Sequence, residues 1–190
     1  MIEASDFKVG MCFKINGEYF RLVSFELVTA GGKAGSHYNT KLRNLKTNAT
    51  AERHFKATDK FEDIEIIDKK KQFLYQEGDN LVFMDPETFE QFSYPKKNLG
   101  KSAQFLAENS EVTALYLGDE LLSVEVPQFM NLTISSTVSG VSGSQSGSVY
   151  KPATLENGIE ILVPPFIKQD EKVRVDTHTG QYVERIKEKS

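Results

Sequence analysis

Hydrophobic and polar positions alternate in short stretches along this chain. Segments rich in β-branched and aromatic residues are separated by turn signals every 8 to 12 residues or so, the rhythm of an all-β protein. The clearest stretch is MCFKINGEYFRLVSFELV. There Asn16-Gly17 is the dipeptide that a two-residue type I′ hairpin favours, and Phe13, Ile15, Tyr19 and Arg21 alternate around it. Strands resume in NTKLRNLKTNATAERHFKA, whose middle, KTNAT, reads as a second turn. Only KSAQFLAEN, residues 101 to 109, has helical character, with Phe105 and Leu106 as its apolar contacts and Ser102 as its cap.

Turns, prolines and charge divide the chain into three blocks. Residues 1–64 carry 10 Lys and Arg against 8 Asp and Glu, residues 65–127 carry 6 against 12, and residues 128–190 carry 7 against 7, with Pro127 as the last seam. The formal net charge of −4 therefore conceals a mildly basic first block and an acidic second one. An acidic total argues against a nucleic-acid partner, yet electrostatic attraction acts through local surface, so the first block can still meet phosphate. Each block has the size and strand number of a small SH3-like barrel or an OB-fold.

Composition narrows the class. With 190 residues, 39% hydrophobic and 26% charged, the chain has the material of a folded globular protein. It contains no apolar run of the roughly 20 residues that span a bilayer. The start, MIEASDFKVG, lacks the basic and apolar stretches of an export signal, so a cytoplasmic location is expected. Cys12 stands alone in an apolar, strand-like context and reads as a small buried thiol rather than a nucleophile.

An enzyme reading finds little support. His37, His54 and His178 are far apart along the chain, and none falls in a helical pair or a Cys/His cluster with metal spacing, so no metal is expected. Asp176 and His178 share one strand face in VDTHTG, but no serine or cysteine is placed to serve them, and a Thr-Gly turn is the commoner explanation. GGKAGS lacks the upstream glycine of a phosphate loop and precedes a strand.

The segment TAGGKAGSHY sets Lys33 behind Gly31 and Gly32 and ahead of Gly35, between two strand-like stretches. It is either a hairpin turn with a solvated lysine, or a lysine presented so that it reaches into something or is chemically extended. Lys41, Arg43, Arg53 and Lys56 alternate along the neighbouring segments, and that spacing can put them on one phosphate-facing side. Lys69 to Lys71 read either as a solvated cluster at a domain boundary or as a contact for RNA. VSGVSGSQSGSVYKPAT reads as a flexible loop or linker.

Taken together, these residues resemble a known family. KPATLENGIEILVPPFIKQDEKVRVDTHTGQYVERI, residues 151 to 186, is similar to the third domain of bacterial elongation factor P, with its Lys-x-Ala, Gly, Val-Pro and Val-Asp-Thr-x-Thr-Gly-x-Tyr elements in order. FLYQEGDNLVFMDPETFEQF resembles the second domain, and KLRNLKTNATAERHFKATDK the end of the first. The resemblance implies an SH3-like, KOW-type N-terminal domain followed by two OB-folds, arranged in an L that mimics transfer RNA. It implies binding to the 70S ribosome between the peptidyl and exit sites. There such a factor relieves stalling at consecutive prolines by positioning peptidyl-transfer RNA, as a monomer without a cofactor.

Under that resemblance Lys33 points toward the peptidyl-transferase centre and is a candidate for enzymatic modification, while Gly31, Gly32 and Gly35 give its loop flexibility. Lys41, Arg43, Arg53 and Lys56 become candidate RNA contacts, as do Tyr182 and Arg185, where an aromatic beside a guanidinium suits RNA. For Tyr182 and Arg185 a packed tyrosine with a solvated arginine fits equally well. Two loops depart from the family pattern. VTAGGKAGSH lacks the usual proline and is one residue longer, and Gly143-Ser144-Gln145-Ser146 replaces Gly-Asp-Thr-Ala, so that contact of Ser144 and Gln145 with the messenger codon in the exit site is either kept in altered form or lost. A divergent paralogue with altered stall specificity and a generic OB-fold RNA-binding protein are the alternatives.

Overall fold

In the computed structural model the described residues are 1–29, 36–138 and 150–187. Their strands are β1 (Ile2–Glu3), β2 (Cys12–Ile15), β3 (Glu18–Val28), β4 (His37–Asn44), β5 (Thr50–Lys56) and β6 (Lys60–Asp63), which form one six-stranded sheet in the order β1-β6-β2-β3-β4-β5. A five-stranded sheet, β11-β10-β7-β8-β9, uses β7 (Ile67–Glu77), β8 (Asn80–Met84), β9 (Gln91–Pro95), β10 (Glu111–Leu117) and β11 (Glu120–Glu125). The third sheet, β14-β13-β12-β15-β16, is built from β12 (Phe129–Thr137), β13 (Lys151–Leu155), β14 (Glu160–Val163), β15 (Lys172–Asp176) and β16 (Gln181–Arg185). The expected all-β class is what the chain adopts.

Two compact units share these strands. The first comprises Met1–Lys69 with Ala114–Val124, and the second Lys70–Thr113 with Glu125–Ser190. In the first unit the Asn16-Gly17 hairpin forms as its residues dictate. Both residues have positive φ, 51° and 86°, and Ile15 pairs with Glu18 across the two-residue turn. That register corrects the expected alternation: Phe13 faces Phe20, whereas Tyr19 and Arg21 lie across from Lys14 and Cys12 on the other side of the sheet. The inner side accordingly buries Phe7, Phe13, Phe20, Leu22, Leu42 and Phe61, with Tyr38 and Phe55 packed against them. Phe13 stands 5.4 Å from Phe7 and 5.0 Å from Phe61, ring centre to ring centre.

Asn44 organises the KTNAT turn. Its side-chain oxygen accepts the amides of Lys46 and Thr47 at 2.9 and 3.0 Å, and Asn48 takes a positive φ. Cys12 is half-buried rather than fully buried, its thiol directed at the Gly10 carbonyl oxygen 3.6 Å away. The Lys69 to Lys71 cluster is not simply solvated. Lys69 lies over the Tyr116 ring, Lys70 pairs with Glu111, and Lys71 is buried in a pair with Asp85.

The second unit corrects the helix. KSAQFLAEN is not an α-helix; a 3-10 segment runs Lys96–Phe105, interrupted at Gly100, whose φ of 58° and ψ of −141° leave helical space. A nine-residue stretch is too short to hold an α-helix by itself, and burial of Phe105 among Leu132, Ile134, Leu155 and Val175 fixes where the chain turns away. Ser102 donates back to the Leu99 carbonyl at 2.7 Å instead of capping a helix start. Around Phe105 the third sheet contributes an aliphatic core that includes Val163, Ile167 and Val173.

Candidate nucleic-acid interface

β4 and β5 build the most cation-rich strand pair of the first unit. Their register places His37 opposite Lys56, Asn39 opposite His54, Lys41 opposite Glu52 and Arg43 opposite Thr50. Directly opposed residues share a side of a sheet, so Lys41, Arg43 and Lys56 stand together with both histidines. Arg53 does not join them. It pairs with Thr40 on the inner side and lies over the Phe20 ring at 5.1 Å, because alternate residues of a strand point to opposite faces and 53 and 56 differ by an odd number. The expectation of four cations on one side is thereby reduced to three.

Sequence reasoning missed three members. Arg21 of β3 pairs with Arg43 and carries an ion pair to Asp68 at 3.5 Å, a position visible only once a bulge between Leu22 and Ser24 sets the β3–β4 register. His37 and His54, distant in sequence, are brought within 6.0 Å ring to ring by the β4–β5 ladder, and the His54 ring shares a 2.6 Å hydrogen bond with the Asn39 side-chain oxygen. Lys41 and Lys56 are exposed and Arg43 is partly so. None of these three forms an ion pair among the described residues. Such a surface can accept phosphate through lysine and arginine and hydrogen-bond sugar or base edges through asparagine and histidine. Lys33, Gly31, Gly32 and Gly35 lie outside the described residues; the last registered pair before that connection is Val28 with His37.

The second unit holds the remaining expected residues. Tyr182 pairs with Val175 and Arg185 with Val173, and a bulge between Arg174 and Val175 lets residues three apart share one side of β16. Tyr182 packs partly into the aliphatic core. Burial raises its hydroxyl pKa above the usual tyrosine value, against the opposing effect of Arg185. Arg185 pairs with Glu171 at 3.3 Å and lies over the Phe166 ring at 5.6 Å. Asp176 accepts the amides of His178 and Thr179 at 2.8 and 3.1 Å, which makes that stretch a turn held by its own aspartate. Burial pushes the Asp176 carboxyl up, yet hydrogen bonds from Thr179, Gln128 and His178 outweigh it and leave its pKa below the usual value. Ser144 and Gln145 lie outside the described residues. Among the described residues no group of three or more His, Cys, Asp and Glu side chains could hold a metal ion.

Three family models match this chain in succession: the elongation factor P KOW-like domain over residues 3–61, the elongation factor P OB domain over residues 66–124, and the elongation factor P C-terminal domain over residues 130–185. The chain belongs to the elongation factor P family. Elongation factor P of Endomicrobium trichonymphae is 42% identical over 185 residues, covering 97% of this chain and all of that protein. The Natranaerobius thermophilus protein of the same name is 40% identical over 187 residues, covering 98% of this chain and 99% of its own. Among solved structures, eukaryotic translation initiation factor 5A from Methanococcus jannaschii is 22% identical, with a TM-score of 0.47 over 65% of this chain and 92% of that chain. Membership makes the chain a translation factor built of KOW-like and OB domains. No helix among the described residues is long and apolar enough to cross a membrane.

Proposed function

We propose that this elongation factor P family member binds the 70S ribosome between the peptidyl and exit sites and speeds peptide-bond formation at consecutive prolines. The reading rests on one observation. The connection that carries Lys33 leaves the β3–β4 ladder at the Val28–His37 pair, where exposed Lys56 lies directly opposite His37 and Lys41 follows on the same side. A lysine reaching toward the donor transfer RNA from such a base has cations beside it to hold the neighbouring phosphates. Proline reacts slowly because its secondary amine and locked φ give a poor attacking posture, so ordering the donor end is what such a reaction needs. The factor supplies no acid, base or nucleophile and leaves the chemistry to the ribosome.

Three working domains, residues 1–64, 65–127 and 128–190, suit this role, acting as a monomer in the cytoplasm. Lys33 is the residue for a modifying enzyme to extend, and Ser144 and Gln145 the residues to face the exit-site codon. The test is in vitro translation of a reporter with three consecutive prolines, using protein from the native host, protein from a heterologous host, and Lys33→Ala. Rescue by native protein that Lys33→Ala abolishes is the expected result. Failure of heterologous material alone assigns a modification to Lys33. No rescue by native protein overturns the reading in favour of a paralogue with another stall specificity or a generic RNA-binding protein.

A further inference from the structure

The turn between β8 and β9 in the second unit presents a residue that its own fold does not use. Phe89 sits at a φ of 60°, in the left-handed region that glycine and asparagine favour, and 70% of it is exposed. A bulky side chain in that conformation costs free energy, and an exposed phenyl ring adds to the cost. Nothing within the described residues offsets either, since Phe89 joins no ring pair and no buried cluster.

The conformation is nevertheless held firmly. Asp85 accepts the amides of Glu87 and Thr88 at 2.8 and 3.1 Å, and its backbone exchanges hydrogen bonds with Phe89 and Glu90, both 2.9 Å. The other carboxylate oxygen of Asp85 accepts from Lys71, which is 5% exposed and anchors the turn to the sheet. A rigid support for a strained, solvent-facing aromatic ring is the arrangement of a presented anchor. The charges around it indicate what it meets. Glu87 and Glu90 flank Phe89 along the chain, in a segment, residues 65–127, with 12 acidic against 6 basic side chains, so phosphate is repelled here.

We propose that Phe89 is a docking anchor for a protein, inserting into an apolar pocket rimmed by lysine or arginine on a protein component of the ribosome. The inference rests on the ribosome-binding reading above. To test it, the full chain carrying a benzoyl-phenylalanine photo-crosslinker in place of Phe89 is sedimented with ribosomes bearing peptidyl-transfer RNA, irradiated, and the crosslinked partner identified. Phe89→Gly and unsubstituted chain are sedimented in parallel. The expected results are a crosslink to a ribosomal protein and, for Phe89→Gly, an affinity loss of roughly tenfold or more. The melting midpoint of Phe89→Gly does not fall, since glycine relieves the backbone. A crosslink to RNA, no crosslink from a sedimented complex, or unchanged affinity of Phe89→Gly overturns the anchor while leaving ribosome binding in place. Failure of the unsubstituted chain to sediment overturns both.

Discussion

Two strand pairs carry the candidate RNA contacts, and they treat their cations oppositely. On β15–β16, Arg174 is held by Glu184 at 2.7 Å and Arg185 by Glu171 at 3.3 Å. On β4–β5, Lys41, Arg43 and Lys56 form no ion pair among the described residues, although Glu52 stands directly opposite Lys41. The cores beneath differ too, aromatic under β4–β5 and aliphatic around β15–β16. A cation count along the sequence does not separate these cases. What separates them is which acid the register brings within reach, and only an uncommitted cation offers its full charge to phosphate.

The largest expected effect tests the aromatic core. Phe13→Ala removes a fully buried ring that two others pack against, and denaturant unfolding should report a loss of about 3–5 kcal/mol. A loss under about 1 kcal/mol would mean that the ring cluster closes over the cavity and contributes no more than ordinary packing. The next tests the open cations. Lys41→Glu with Lys56→Glu should weaken ribosome binding by tenfold or more, about 1.4 kcal/mol, and Lys56→Ala should reduce the salt dependence of log affinity by roughly 0.7–0.9 for the one phosphate it meets. Arg53→Ala, on the inner side, should leave that salt dependence unchanged; if it behaves like Lys56→Ala, the division of faces fails.

A third prediction concerns pH. The Lys71 hydrogen bond, helped by the Glu87 and Thr88 amides, lowers the Asp85 pKa from 3.8 to about 2. A carboxyl depressed in the folded state stabilises it above its unfolded pKa and loses that contribution as pH falls through the folded one. The melting midpoint of Asp85→Asn should therefore lie below that of the unsubstituted chain at neutral pH, and the gap should shrink between about pH 4 and pH 2. A gap independent of pH would remove Asp85 ionisation from the support of the Phe89 turn. The smallest effect is expected from Arg174→Ala, where loss of an exposed pair should cost about 0.2–1 kcal/mol in thermal unfolding and leave ribosome affinity unchanged.

Much of this protein is legible in its residues alone. Strand rhythm, the Asn16-Gly17 hairpin and the KTNAT turn are written locally, because side-chain alternation and positive-φ residues act within a few positions of themselves. Family membership is legible as well, through motifs spread along the whole chain. Pairing register is not local. It sends Arg53 inward while Lys41 and Lys56 face out, brings His37 to His54, and through one bulge sets Tyr182 and Arg185 on a common side. The 3-10 path of residues 96–105 was likewise decided by burial of Phe105 and by Gly100, against a helix that local propensity favoured. Phe89 is the sharpest case. As a letter in DPETFEQ it is one more aromatic residue in a strand-rich segment. Its exposure and left-handed backbone exist only because Asp85, fixed by buried Lys71, closes the turn around it.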